Sequence, residues 1–162
     1  MVGPVEAGKP PSIAVDYRGR SEIILMPGYL ALQYLDAFDM ALEICDAMDI
    51  PQDDVVCGLA SFPGAPGRGK VSVRDGVVYV CDRNPGVSML SLKSTADILA
   101  RMGISDGIVM QVSMSGDKVC DGLDMGSVED FAASRGFSIV PEGQGLPEGT
   151  RAVIHAVKEL YQ

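Results

Sequence analysis

The sequence has no tryptophan, and its five tyrosines and four phenylalanines make aromatics only 6% of 162 residues. Stacking platforms for bases or sugars are built from such rings and are not expected here. Cations are scarce as well: 13 Lys and Arg stand against 22 Asp and Glu, for a net charge of −9. A surface that negative repels phosphate backbones and anionic lipid, which argues against nucleic-acid or membrane partners held by general attraction. A local basic patch for one small anion stays open. There is a single histidine, His155, and the cysteines at 45, 57, 81 and 120 contain no Cys-x-x-Cys pair. A zinc cluster therefore has too few ligands at usable spacing, and no metal site is expected. No apolar run approaches membrane-spanning length, and Met1 to Pro11 lacks a signal-peptide core. A reduced, cytoplasmic protein follows, although a start in a Pro- and Gly-rich stretch also suits a piece of a longer chain.

What is present is globular: 47% hydrophobic and 22% charged residues, with a mean hydropathy of +0.19. Wholesale disorder is excluded, and the length suits one domain or a small domain with an appendage. Such a core folds without disulfides. Cys45 and Cys57 fall on apolar helical faces and Cys81 ends an apolar run, so buried thiols are expected.

Ser12–Val15 and Glu22–Met26 are short apolar runs around a polar turn, a hairpin or two edge strands. From Tyr29 to Met48, Leu30, Tyr34, Leu35, Phe38, Ala41, Leu42, Cys45 and Met48 recur at helical spacing, with Asp36, Asp39, Glu43 and Asp46 as a solvated stripe opposite. Asp49, with Pro51 two residues on, is expected to cap a second helix ending near Phe62. The turn-rich stretch Pro63 to Lys70 is the best boundary in the chain. Beyond it, Lys70–Arg74 and Val77–Cys81 flank Asp75-Gly76, a hairpin signal because both turn residues accept positive φ. A helix covering much of Met89–Met102 follows. Its start falls as late as Thr95 if Ser94 and Asp97 form a capping box. Gly107–Val112 reads as a buried strand, Ser113–Asp124 as loop, Ser127–Ser134 as a short helix and Gly136–Val140 as a strand. Thr150–Tyr161 is expected to be a closing helix with Val153, Ile154, Val157 and Leu160 on its apolar face and a structural His155 beside it. The class is thus α/β: a Rossmann-like, mostly parallel sheet with helices on both faces, preceded by a helical segment. Such sheets bind ligands beyond the carboxyl ends of their strands, which directs attention to the loops after Cys81, Val112 and Val140.

Gly64-Ala-Pro-Gly-Arg-Gly69-Lys70-Val71 nearly matches the phosphate-cradling loop GxxxxGK[ST]. Val71 supplies no hydroxyl for magnesium, and the loop leads into a strand where a working loop opens a helix. A complete P-loop is rejected, but a turn whose glycines and Arg68 touch phosphate is not. Asp82-Arg83-Asn84-Pro85-Gly86 is either a plain strand-to-helix turn or, by its place at a carboxyl end, a nucleotide contact: an Asp for a ribose hydroxyl, an Arg for phosphate. Gly116–Asp124 lacks calcium-loop spacing, and Cys120 has no histidine nearby in sequence.

Residues 28 to about 100 resemble the Mur ligase family of ATP-dependent amide ligases. The resemblance rests on Gly28-Tyr29-Leu30-Ala31, Ala37, Ala41, Asp49-Ile50, the run Val55-Val56-Cys57-Gly58-Leu59-Ala60-Ser61-Phe62, then Pro66-Gly67-Arg68, and finally Asp82, Asn84 and Pro85. It implies that residues 1–65 are the tail of a central ATPase domain and 66–162 a Rossmann-like C-terminal domain closing over ATP. Arg68 then corresponds to the family arginine that reaches ATP, and Asp82 to the family aspartate near the nucleotide; Arg83 and Asn84 fill out the same turn, with Arg83 where the family has histidine. The implied chemistry is acyl-phosphate formation on a carboxylate substrate followed by attack of an amine, with ATP and magnesium bound mainly by the central domain. No catalytic residue falls in this chain, which lacks an intact Walker A loop and is expected to be inactive alone. The acidic, Met-rich, Trp-free sequence and the Asp82-Arg83-Asn84-Pro85-Gly86 turn resemble the archaeal branch of the family, in which a Mur-like synthetase acts late in making a nickel tetrapyrrole coenzyme. A different class stays open beside it: a stand-alone α/β module that binds an anion or a protein partner.

Overall fold

A computed structural model describes residues 12–25, 28–83, 86–114 and 123–158. Asn84, Pro85, Cys120 and most of the Gly116–Asp124 loop lie outside the described residues. The chain opens with a hairpin, β1 (Ser12–Tyr17) and β2 (Arg20–Leu25), paired antiparallel in register from Ser12↔Leu25 to Tyr17↔Arg20. Its turn is Arg18-Gly19, both with positive φ, which settles the expected strand pair as a hairpin. A 3-10 turn at Ala31–Tyr34 leads into α1 (Leu35–Ala47), and α2 (Gln52–Ser61) follows. Phe38 and Leu42 of α1, Val55 of α2 and Ile13, Val15, Tyr17 and Ile24 of the hairpin close one apolar core with Tyr29.

Three expectations change in this region. Pro51, not Asp49, stands at the N-cap of α2. Asp49 instead takes a left-handed conformation (φ 56°) just past the end of α1, a role short polar side chains tolerate. Met48 follows the last helical residue and is exposed. Cys57 is also exposed, because it lies two residues, about 200° around the helix, from the buried Val55. Cys45 and Cys81 are half-buried.

The second layer is a five-stranded sheet of order β3-β4-β7-β5-β6, built from β3 (Lys70–Arg74), β4 (Val77–Arg83), β5 (Ile108–Met114), β6 (Ser138–Ile139) and β7 (Ala152–Lys158). β3 and β4 form the Asp75-Gly76 hairpin, and β4, β7, β5 and β6 run parallel. The class is therefore α/β with a mostly parallel sheet, consistent with a Rossmann-like fold. α3 (Met89–Arg101) joins β4 to β5 and α4 (Met125–Arg135) joins β5 to β6. Both connections step the same way along the sheet, so right-handed crossovers lay both helices on one face. There Leu92, Ala96 and Leu99 of α3 and Val128, Phe131 and Ala132 of α4 meet Val80, Met110 and Ile154 in the main core. Each of the larger side chains among them, buried to a few per cent exposure, is worth about 1.5–3 kcal/mol in transfer free energy.

The main correction is at the C-terminal end. Thr150–Tyr161 was expected as a helix, but Ala152–Lys158 is β7, the central strand, hydrogen-bonded to β4 on one side and β5 on the other. Ala152, Val153, Ile154, Ala156 and Val157 are all buried, so both strand faces are covered and the alternation that marks a half-exposed strand is erased. His155 consequently sits mid-sheet and not on a helix. Smaller shifts lie elsewhere. β4 continues through Asp82 and Arg83, β5 through Met114, α4 starts at Met125 behind an Asp124 cap, and α3 starts at Met89 behind Ser88, not at Thr95. β6 is shorter than the expected strand.

Candidate functional site

A pocket of about 410 Å³ opens at the carboxyl end of β4, under the first turn of α3. Arg68, Asp82, Gln33, Tyr34, Ser88, Ser91 and Ser94 are among its walls. Each wall has a local cause. The glycines of the 63–70 stretch take positive φ at Gly64, Gly67 and Gly69, so the chain turns tightly before β3. Tyr34, held edge-on against Tyr29 and Phe62, accepts the N–H of Ala65 at 3.0 Å and donates to the carbonyl of Arg68 at 3.2 Å. The N–H of Arg68 closes the same turn on the carbonyl of Ala65 at 3.1 Å, and the N–H of Arg83 reaches the carbonyl of Gly67 at 2.7 Å. The backbone bearing Arg68 is thus pinned from both layers, while its side chain is exposed toward the pocket.

Asp82 is 6% exposed, one of two buried polar residues among those described; the other is Thr95. Its Oδ1 accepts the N–H of Gly69 at 2.7 Å, and its Oδ2 lies 3.5 Å from the donating hydroxyl of Thr95 on α3. Gln33 Nε2 donates in turn to Thr95 Oγ1 at 3.1 Å. Burial pushes the Asp82 carboxyl above its ordinary value, opposed by the Gly69 N–H, the Thr95 hydroxyl and the positive Arg68. The third wall is the start of α3, where Ser88 and Ser91 form a reciprocal capping box and the first-turn amides carry partial positive charge. One face of the pocket therefore offers a guanidinium and a helix N-terminus to an anion, and another offers a carboxylate acceptor to hydroxyls or amines.

Of the expected residues, Arg68 and Asp82 meet at this one pocket. Arg83 alternates to the other face of β4 and takes part through its backbone N–H. Asn84 lies outside the described residues. Gln33, Tyr34 and Thr95 were not anticipated. Tyr34 was assigned to a core face, and nothing local to Gln33 or Thr95 marks a hydrogen bond across 62 residues. The Pro63–Lys70 stretch leads into β3, in keeping with rejection of a complete P-loop. No cluster of three or more His, Cys, Asp or Glu suited to a metal occurs among the described residues, and no described helix is long and apolar enough to cross a membrane.

The chain is similar to coenzyme F(430) synthetase of Methanosarcina acetivorans, with 28% identity over 133 residues. The match covers 78% of this chain but only 28% of the length of that protein. No family model matches the chain, and no solved structure matches it. The similarity supports a distant Mur-like relationship.

Proposed function

We propose that this chain is the ATP-closing, substrate-contacting domain of a cytoplasmic, ATP-dependent Mur-type ligase. On this reading residues 1–65 are the tail of a central ATPase domain and residues 66–162 are the C-terminal domain. The observation that carries it is the convergence of Arg68, Asp82 and the N-terminus of α3 on one pocket at the carboxyl end of β4. The likeness to a named synthetase supports the same reading.

In this mechanism Arg68 and the first amides of α3 meet the phosphates of ATP held on the central domain. Asp82 fixes the Gly69 turn from beneath and presents its carboxylate to the pocket; Arg83 locks Gly67 through its backbone, and Asn84, next in sequence, is proposed to contact the nucleotide. ATP supplies the phosphoryl group that activates a substrate carboxylate as an acyl-phosphate, which an amine then attacks. Closing the domain brings positive charge to the phosphates and shields the acyl-phosphate from water, and both effects favour amide formation over hydrolysis. On the same reading magnesium is bound mainly by the central domain, with the phosphates of ATP.

The test joins this chain in frame to a Mur-type central domain carrying GxxxxGK[ST] and follows ATP turnover. Arg68→Ala is expected to lower turnover about 100-fold or more while leaving the fold intact. Normal turnover in the variant removes Arg68 from the mechanism. A second reading, an autonomous anion-binding module, draws on the fact that all the pocket walls named here lie between residues 33 and 94. Micromolar binding of nucleotide by this chain alone would select it, because half of a composite site binds weakly.

A further inference from the structure

A row of polar side chains crosses the sheet on the face turned away from α3 and α4. Lys70 of β3 stands opposite Cys81 of β4, Cys81 opposite His155 of β7, and His155 opposite Gln111 of β5. Cys81 Sγ lies 4.0 Å from His155 Nδ1. The other ring nitrogen, Nε2, lies 3.5 Å from Oε2 of Glu142, on the connection that returns from β6 to β7. Nε2 is shielded from solvent and makes no hydrogen bond. Buried imidazole nitrogens ordinarily find a partner. The imidazole therefore stands between a thiol and a carboxylate. For one metal ion this order is wrong, since sulfur and oxygen approach opposite sides of the ring. For proton transfer it is the order of nucleophile, base and orienting acid. A neutral ring with its proton on Nε2, toward Glu142, leaves the Nδ1 lone pair free to accept from Sγ–H.

We propose that Cys81 is a modification site, a thiol that exchanges with small anionic disulfides, with His155 as its base and Glu142 orienting the ring. Sγ attacks one sulfur of the disulfide while its proton passes to Nδ1. A new S–S bond forms to Cys81, the original S–S bond breaks, and the departing thiolate takes up the proton from the imidazolium. One disulfide is consumed and one is made, so no further oxidant enters. Burial raises the Cys81 thiol, which therefore rests protonated and needs a base near neutrality. Around it, Lys70 and Arg83 favour the thiolate, and Asp82 and Glu142 oppose it. Lys70, exposed and directly across from Cys81, gives the preference for a negatively charged disulfide. Exposed Cys57 is the internal reference.

The full chain is incubated with dithiodiglycolate or with cystamine at about pH 7, where an unassisted thiol is largely protonated. Mixed disulfides are read by mass spectrometry on the tryptic peptide 75–83 and on the peptide bearing Cys57. His155→Gln is expected to slow adduct formation at Cys81 about tenfold or more near pH 7 and to leave Cys57 unchanged. Glu142→Gln, on an exposed connection, is expected to slow Cys81 about threefold or more and serves if His155→Gln fails to fold. Dithiodiglycolate should outrun cystamine at Cys81 but not at Cys57. Equal Cys81 rates in wild type and variants, or adducts at Cys57 with none at Cys81, overturn the proposal. Equal rates with the two reagents overturn the anionic preference.

Discussion

Asp82 accepts the backbone N–H of Gly69 at 2.7 Å, so a carboxylate at the end of β4 fixes the turn that carries Arg68. The two residues expected to touch the same ligand are thereby mechanically linked, although 13 residues separate Gly69 from Asp82. Tyr34 grips the same turn from the N-terminal core through Ala65 and Arg68. An arginine aimed at a phosphate gains most when its backbone does not have to be ordered on binding, and these bonds supply that order in advance.

The buried state of Asp82 sets a pH dependence. Its carboxyl is raised in the folded chain above the ordinary 3.8, chiefly by burial. As pH rises through 3.8 the unfolded chain loses this proton first, so folding stability falls until the folded value is passed and is level above it. Asp82→Asn keeps an oxygen to accept from Gly69 and removes the charge. It is expected to match or exceed wild-type stability at neutral pH, with the gap closing as pH falls below 3.8. Each tenfold difference in proton affinity corresponds to about 1.4 kcal/mol. Urea unfolding of both proteins across the acid range measures it, and a wild type that gains stability on rising through that window contradicts the assignment.

Arg68 should separate binding from folding. Its guanidinium is exposed, and the bonds that hold the turn come from its backbone. Arg68→Ala is therefore expected to shift the melting temperature by less than about 2 °C, as an exposed substitution costing about 0.5 kcal/mol or less would. Arg68→Lys keeps the charge but loses the planar fork, and is expected to restore only part of the ATP turnover of the joined protein. Full rescue by Lys would mean that the site needs a cation and not a bidentate donor.

The α3 cap offers a stability test at the pocket's other wall. Ser88 accepts the N–H of Ser91 at 3.3 Å, and Ser91 Oγ accepts the N–H of Ser88 at 2.9 Å. Ser88→Ala removes one half of that box and should cost about 0.5–2 kcal/mol, or a few degrees of melting temperature. Calorimetry of the variant reads this directly, and an unchanged melting temperature would show that α3 is held by its core face alone.

The hairpins were legible because their signals are local: Asp75-Gly76 takes positive φ at both residues, as the turn requires. The parallel sheet was legible from alternating strands and helices. The central strand was not, because a strand buried on both faces shows the same dense apolar run as a buried helix. The enrichment of β-branched residues in Val153, Ile154 and Val157 was the signal that favoured a strand. Arg68 and Asp82 emerged from a motif and a location. Gln33 and Thr95 could not, since the contact between them exists only once the 3-10 turn and α3 are packed together.

Gly69 lies where the fold and the candidate site meet, so its replacement tests both at once. Its φ is +54°, and a Cβ built there collides with the carboxamide of Gln33. Gly76 has a similarly positive φ of +78°, but a Cβ there meets nothing within 4 Å. Gly76→Ala should therefore cost only the left-handed conformation, about 1–2 kcal/mol. Gly69→Ala adds displacement of Gln33 from Thr95, and with it loss of a partly buried hydrogen bond worth about 1 kcal/mol. Guanidinium unfolding of the pair should place Gly69→Ala below Gly76→Ala, and only the former should also weaken phosphate-ligand binding in the joined protein. Equal costs would mean that Gln33 swings away freely, and that the Gln33–Thr95–Asp82 chain of hydrogen bonds does not hold the turn.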